Sequence, residues 1–173
     1  MYEKNFPNKR FKLTLEFLKE FISTDESILD LGVINPFSDL LQKEGFEVAN
    51  TQGQDLDTDT SIVKTDEFDV VTAFQIFEHM VAPYNVLNDI KAKKLIASIP
   101  LKLWFASAYR SNTDNWDRHY HEFEDWQFDW LLEKSGWEIK KSIKFSSPVN
   151  KIGIRPILRR FTPRFYLVYA EKK

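Results

Sequence analysis

Two short segments carry the side chains best suited to move a proton. His79 follows an apolar run and a glutamate, and His119 lies further along the chain in the segment His119–Phe123. Histidine has an unperturbed pKa near neutrality, so it can accept a proton from a reacting group without extreme tuning. We therefore predict that His79 and His119 are the catalytic residues, with the role of taking a proton from an acceptor.

A small-ligand site is indicated by the apolar run Ser27–Gly32, which contains Asp30 and ends in glycine. Asn35 and Pro36 follow it and suit the N-cap and first position of a helix. This is a strand, a turn and a helix. Open α/β sheets bind ligands beyond the carboxyl ends of their strands, so the loop after Asp30 is the expected binding site.

The surrounding sequence alternates between helical and strand patterns. Apolar residues at helical spacing predict a helix over Asn8–Ile22, and a second helix follows Asn35 and ends at Gly45. Further strands are predicted at Phe46–Ala49, Phe68–Phe74, Lys94–Ile99, Trp137–Phe145 and Phe165–Ala170, and further helices near Val86–Ile90 and Trp126–Leu131. This order predicts an α/β fold with a doubly wound, largely parallel sheet and helices on both faces.

Composition limits the classes of protein to which the chain can belong. Its 173 residues are 43% hydrophobic, which suits a single domain over residues 1–173, with an N-terminal helix in 1–26 covering a core in 27–173. Charges of 24 basic and 26 acidic side chains create no overall field for nucleic acid. The absence of cysteine excludes disulfides and a zinc–thiolate site. With no export signal or membrane span in the sequence, we expect a cytoplasmic protein that does not bind membranes.

Four segments together resemble the class I S-adenosylmethionine-dependent methyltransferases, which have a Rossmann-like fold. They are Asp30-Leu-Gly32, Phe68-Asp-Val-Val-Thr-Ala-Phe-Gln-Ile-Phe-Glu-His79, His119-Tyr-His-Glu-Phe123 and Gly136-Trp137. The resemblance implies a seven-stranded sheet whose final strand is antiparallel. In that comparison Gln54–Asp57 stands for a shortened third strand. A solvated acidic loop explains Asp55, Asp57 and Asp59 equally well, because alternating aspartates suit turns.

The resemblance also implies S-adenosylmethionine as the cofactor. Its methionine end is expected near Asp30 and Gly32, and its adenosine near four further residues. Those are Thr51, Asp55, Asp57 and Gln75. The family's glycine-rich loop, D-x-G-x-G-x-G, is altered, because Ile34 and Pro36 occupy its second and third glycine positions.

Ile34 can take one of two positions, with opposite consequences for binding. It either packs in the core beside the first strand and leaves the pocket free, or projects into the pocket and obstructs the cofactor. We favour obstruction, because Asn50-Thr51 also replaces the acid that the family places at the end of its second strand to bind the ribose.

Three functions follow from these observations, in decreasing order of support. The first is methyl transfer to a small-molecule acceptor, and the second is a catalytically inactive, methyltransferase-like binding or regulatory protein. The third is nucleic-acid modification guided by a basic tract, which contains Lys151, Arg155, Arg159, Arg160 and Arg164. A solvated loop between the last two strands also explains that tract, and Phe74-Gln75-Ile-Phe77 lacks the Asn/Asp-Pro-Pro-aromatic motif of amino-group methyltransferases.

The same resemblance raises a metal alternative at Glu78 and His79. Some metal-dependent methyltransferases place Glu-x-x-Glu-His here and add a distant histidine, which His119 or His121 would supply. Gln75 replaces the first glutamate and offers a neutral oxygen without charge. We therefore expect no metal, and a structural role for Glu78 at a helix start.

Overall fold

A computed structural model of the protein describes residues 7–146 and 153–173. The described residues form one sheet of six strands in the order β2-β1-β3-β4-β6-β5. The strands are β1 (Ser27–Asp30), β2 (Glu47–Asn50), β3 (Val70–Phe74), β4 (Lys94–Pro100), β5 (Trp137–Phe145) and β6 (Phe165–Lys172). The pairs among β1 to β4 are parallel, while β6 is antiparallel to both of its neighbours. The predicted largely parallel sheet with an antiparallel final strand is confirmed.

Helices cover both faces of the sheet, as predicted. They are α1 (Pro7–Lys19), α2 (Pro36–Lys43), α3 (Pro83–Asp89) and α4 (Asp125–Lys134). A fifth helix, α5 (Ile154–Phe161), buries none of its residues. Neighbouring strand residues point to opposite faces. Ile28 accordingly packs in the cluster that contains Leu18 of α1 and Leu41 of α2, and Leu29 in the cluster that contains Leu87 of α3 and Phe128 of α4.

The prediction of a seventh strand at Gln54–Asp57 is wrong. Asp55 closes a turn there, because its carboxylate accepts a hydrogen bond from the Asp57 N–H and its carbonyl accepts one from the Asp59 N–H. Leu56, between the two aspartates, is buried in the core and anchors the turn. An Asx turn of this kind removes the extended backbone that a strand requires.

The connection between β5 and β6 also differs from the predicted solvated loop, because it contains α5. Its Ile154, Ile157 and Phe161 are exposed, and Arg155, Arg159 and Arg160 lie on the same helix. Lys151 of the basic tract lies outside the described residues, as do residues 1–6. Among the helices in the described ranges, none is long and apolar enough to cross a bilayer.

The start of α2 has the predicted geometry. Asn35 is its N-cap, and its side-chain oxygen accepts hydrogen bonds from the Phe37 and Ser38 amides at 2.9 and 3.2 Å. Pro36 occupies the first turn, where a missing N–H costs no hydrogen bond. The replaced third glycine is therefore compatible with the strand–turn–helix unit that follows β1.

Candidate functional site

Asp30 lies at the centre of a hydrogen-bond network at the carboxyl ends of three strands. The sheet register places it beside Asn50 of β2 and Thr72 of β3. Its Oδ1 accepts a hydrogen bond of 2.7 Å from the Thr72 hydroxyl. Its Oδ2 accepts bonds from Asn35 Nδ2, Ser38 Oγ and Asn50 Nδ2 at 3.2, 3.0 and 3.1 Å. One buried carboxylate thus ties β1, β2, β3 and α2 together.

Burial and hydrogen bonding act in opposite directions on Asp30, which is only 2% exposed. Burial, the larger effect, raises the pKa of its carboxyl, while the hydrogen bond from Thr72 and the other three lower it. Both oxygens are occupied by protein donors. Asp30 therefore holds the site's framework, and its direct contact with a cofactor stays a prediction.

Gly32 has a backbone conformation that few other residues adopt, with φ of +117°. Its N–H donates to Thr51 Oγ1 at 2.7 Å, and its carbonyl accepts from Asn50 Nδ2 at 3.2 Å. A Cβ at this position would lie 3.3 Å from Cδ1 of Ile76. Thr51 is itself buried. The structure therefore brings Gly32 and Thr51, both predicted cofactor residues, into direct contact through this hydrogen bond.

Ile34 is exposed on the loop after β1. Its exposed fraction is 72%, which excludes the alternative in which it packs in the core beside β1. Obstruction of the cofactor, the favoured alternative, stays a prediction. Val33 is exposed beside it, and a Cβ on Gly53, in the loop after β2, would contact the Val33 side chain at 3.5 Å. Two apolar side chains thus stand on the surface where a cofactor would approach the loop.

The two aspartates predicted at the adenine side have different roles. Both oxygens of Asp57 accept backbone hydrogen bonds, from Val81 at 2.8 Å and Ala82 at 2.7 Å, immediately before α3. Asp55 uses one oxygen in its own turn and is exposed. Asp57 therefore fixes the start of α3, and Asp55 has the more available carboxylate.

Gln75 follows β3 in a left-handed conformation, with φ of +60°. Its N–H donates to the Ser98 carbonyl at 2.9 Å, and its side-chain Nε2 donates to Ser98 Oγ at 3.2 Å. Its amide group is therefore fixed toward β4. A non-glycine residue held at positive φ is strained, and such strain is common at functional sites.

Glu78, His79 and His119 converge beyond the carboxyl ends of β3 and β4. Glu78 and His79 belong to a 3₁₀ turn at Phe77–His79, and His119 lies in the long connection between β4 and α4. One candidate ligand atom from each of the three lies within 4.8 Å of the others. The imidazole rings of His79 and His119 meet edge to face, with centroids 4.7 Å apart. The two predicted catalytic histidines are thus adjacent.

Backbone hydrogen bonds hold the long connection against this turn. The Glu78 carbonyl accepts bonds from the Tyr120 and His121 amides at 2.8 and 3.2 Å. His79 Nδ1 lies 3.0 Å from the Arg118 carbonyl, which can only accept, so Nδ1 carries a hydrogen. His121 Nε2 bonds instead to the Val81 carbonyl at 3.2 Å, which places His121 outside the cluster.

Within this cluster, the pKa values of Glu78 and His119 are shifted in opposite directions. Burial raises the pKa of Glu78 to about 8, with Glu122 and Asp117 adding to the shift and Arg10 opposing it. Burial, followed by the nearby His79, lowers the pKa of the His119 imidazole. The lowered pKa favours the uncharged form of His119, which can accept a proton or bind a cation.

The site residues that the sequence did not single out are mainly polar partners of Asp30. Ser38 and Thr72 bond to it, while Tyr109 packs on His119 with ring centroids 4.6 Å apart. Asn50, which the sequence marked as the replacement of an acid, bonds to Asp30 as well. Asn50 and Thr72 lie in strands, each in register with Asp30. The pairing of neighbouring strands would have placed these two residues beside Asp30. Nothing in the sequence places Tyr109 beside His119, because both lie in an irregular segment.

Several solved structures with the same fold are S-adenosylmethionine-dependent methyltransferases, and one is a [4+2]-cyclase. One from Archaeoglobus fulgidus is 16% identical, with 96% of this chain and 97% of that chain covered and a TM-score of 0.61. Another, from Mesorhizobium loti, is 14% identical, with 91% and 96% covered and a TM-score of 0.60.

A third neighbour is the 1,6-didemethyltoxoflavin-N1-methyltransferase of Burkholderia thailandensis, whose structure contains its substrate and S-adenosylhomocysteine. It is 14% identical, with 94% of this chain and 78% of that chain covered and a TM-score of 0.63. No protein-family model matches the chain, and no curated protein matches it in sequence. The chain therefore has the Rossmann-like fold of class I methyltransferases, a likeness carried by structure rather than by sequence identity.

Proposed function

We propose that the chain binds S-adenosylmethionine at the carboxyl ends of β1, β2 and β3 and transfers its methyl group to a small-molecule acceptor. The observation that carries the proposal is Gly32, held at positive φ directly after β1, in a sheet with the strand order of this fold. Bound S-adenosylmethionine supplies an electrophilic methyl group on a sulfonium. Ligands of open α/β sheets bind at this edge.

The backbone at this edge fits such a cofactor better than several of the side chains do. Gly32 has no side chain to keep a ligand away from its backbone, and the side-chain oxygen of Gln75 and the second carboxylate oxygen of Asp55 are polar groups for the adenosine. Thr51 adds its hydroxyl, which already accepts from Gly32. Asp30 holds the ends of the strands that carry these residues through its hydrogen bonds to Asn50 and Thr72.

On the acceptor side, His79 and His119 would remove a proton from the attacking atom. The lowered pKa of His119 favours the neutral imidazole, whose free lone pair can accept a proton. Trp104 and Trp116, each 75% exposed in the connection that carries His119, offer apolar surface to an acceptor. Most of the catalysis would come from holding the acceptor in line with the methyl group.

Calorimetry with S-adenosylmethionine and S-adenosylhomocysteine tests the first step without knowledge of the acceptor. We expect binding of one molecule per chain. A His119→Asn variant should bind both ligands with this affinity. With S-adenosylmethionine and an extract of small metabolites, it should no longer form S-adenosylhomocysteine. The control variant His121→Asn should keep both the affinity and the product formation. Failure of the wild-type protein to bind either ligand at millimolar concentration would contradict the proposal.

A second candidate, a catalytically inactive binding or regulatory protein, is favoured by the exposed Ile34 on the cofactor loop. The side chains of Asn50 and Asp57 are also engaged by other protein groups. This candidate predicts that the unmodified chain forms no S-adenosylhomocysteine with any acceptor. The same calorimetry and product assay therefore separate it from the enzyme.

A further inference from the structure

We propose that Glu78, His79 and His119 bind one divalent transition-metal ion of the zinc type. This departs from the expectation of no metal, which rested on Gln75 in the sequence. The site would load independently of S-adenosylmethionine, because its three ligands belong to the 3₁₀ turn after β3 and the connection after β4.

The distances are close to those of a three-ligand site. The ligand atoms all lie within 4.8 Å of one another, and His79 Nε2 is 3.8 Å from Glu78 Oε1. Nitrogen and oxygen ligands bind zinc at about 2.0–2.2 Å, so two ligand atoms on one ion lie roughly 3 to 4 Å apart. Small side-chain rotations would close the remaining gap.

The histidine rings are oriented by groups outside the cluster. The His79 Nδ1–H donates to the Arg118 carbonyl, which turns Nε2 toward Glu78. The His119 Nδ1 lies 3.5 Å from Glu122 Oε1, so a carboxylate stands beside that ring. Metal-binding histidines characteristically give their second nitrogen to a carbonyl or carboxylate, which fixes the tautomer.

Glu78 provides an independent indication of a missing partner. Its Oε2 is buried and has no hydrogen-bond partner among the described residues, and the residue is only 1% exposed. Leaving a buried carboxylate oxygen unpaired costs free energy, so native structures nearly always satisfy such atoms. A cation held between Glu78 and the two imidazoles would supply the missing partner.

The donor set selects the class of metal. Two imidazoles and one carboxylate suit zinc and its neighbours, whereas magnesium prefers oxygen ligands. Gln75 would add an oxygen, but its amide is fixed toward Ser98. When an ion is bound, the imidazoles of His79 and His119 are its ligands and their lone pairs are occupied. The removal of a proton from the acceptor by these histidines therefore belongs to the metal-free protein.

The test is a titration of metal-free protein with Co²⁺, followed by Zn²⁺, with Mg²⁺ as the comparison ion. We expect Co²⁺ to bind with visible d–d absorption that Zn²⁺ abolishes and excess Mg²⁺ leaves unchanged. The chain has 3 histidines, so proton NMR of their rings gives a readout that requires no variant. On addition of Zn²⁺ the signals of His79 and His119 should shift, and that of His121 should not.

Variants then assign the ligands. Glu78→Gln, His79→Asn and His119→Asn should each weaken Zn²⁺ affinity at least tenfold, with circular dichroism confirming the fold. His121→Asn is the matched control, since His121 lies in the same segment but bonds to the Val81 carbonyl. The proposal is overturned if wild-type protein binds Zn²⁺ only at millimolar concentration, if His121 shifts with the others, or if the folded ligand variants retain wild-type affinity.

Discussion

The side-chain amide of Asn50, at the end of β2, donates a hydrogen bond of 3.1 Å to Oδ2 of Asp30, at the end of β1. The same Nδ2 lies 3.2 Å from the Gly32 carbonyl and 3.1 Å from Ser38 Oγ. An acid at this position would place a second carboxylate against the buried Asp30 and remove these donors. The pairing thus explains in physical terms why β2 ends in an amide.

Replacing Asn50 with aspartate should destabilise the fold. The substitution places like charges about 3 Å apart and leaves Asp30 and the Gly32 carbonyl each without one donor, so we expect a loss of roughly 2 to 4 kcal/mol in the free energy of unfolding. Urea denaturation measures this loss. Asn88→Asp is the control, because Asn88 is exposed beside Asp89 and the same substitution there should cost under about 1 kcal/mol. Equal losses at both positions would show that the Asp30 network has no special role.

Gly32→Val should prevent S-adenosylmethionine binding while the protein stays folded. The valine would be held at φ of +117° with its Cβ 3.3 Å from Cδ1 of Ile76, and its branched side chain would cover backbone that glycine leaves bare. Gly136→Val is matched in strain, at φ of +89°, but lies before β5 at the opposite edge of the sheet. Each variant should lose roughly 1 to 2 kcal/mol of stability. Calorimetry should show binding only in the Gly136 variant, and wild-type binding by a folded Gly32→Val protein would refute the placement.

The stability of the metal-free protein should fall as pH rises from about 5 to above 8. Burial raises the pKa of Glu78 from 4.5 to about 8, so the folded state binds a proton that the unfolded state has already released. The contribution of the bound proton to the free energy of unfolding is fully present below the pKa of the unfolded state, 4.5. It is lost as the pH rises through the pKa of the folded state, about 8. Each pKa unit corresponds to about 1.4 kcal/mol, so the loss amounts to several kcal/mol at most.

Denaturation curves across this pH range, recorded with a chelator present, measure the effect. Glu78→Gln removes the titrating group and should flatten the curve relative to wild type. Glu67→Gln, at an exposed glutamate, should leave the wild-type slope unchanged. An identical slope in wild type and Glu78→Gln would mean that Glu78 is not the group responsible.

Periodicity and glycine spacing were enough to predict the strands, the helices on both faces and the Asn35 cap, because these depend on neighbouring residues. Gln54–Asp57 was misassigned because its turn depends on an Asx hydrogen bond that alternating aspartates do not reveal. The helix α5 was missed for a different reason. It buries none of its residues, so its apolar positions had no core against which to be recognised.

The candidate site was predictable only in part. His79 and His119 could be selected by residue type, but their contact depends on backbone bonds from the connection after β4 to the Glu78 carbonyl. The sequence left two positions open for Ile34, because loop side chains have no periodic pattern. Its position was set by tertiary structure, and it lies on the surface.

Ile34→Gly should strengthen S-adenosylmethionine binding with little effect on stability. Because the side chain is 72% exposed, its removal forfeits little burial, and the added backbone freedom of glycine costs about 0.5–1 kcal/mol. If the isoleucine obstructs the loop, the dissociation constant should fall at least about tenfold, which corresponds to 1.4 kcal/mol. Ile154→Gly, at another exposed isoleucine, controls for loss of apolar surface. Micromolar binding by the unmodified protein, unchanged in Ile34→Gly, would show that Ile34 leaves the cofactor site open.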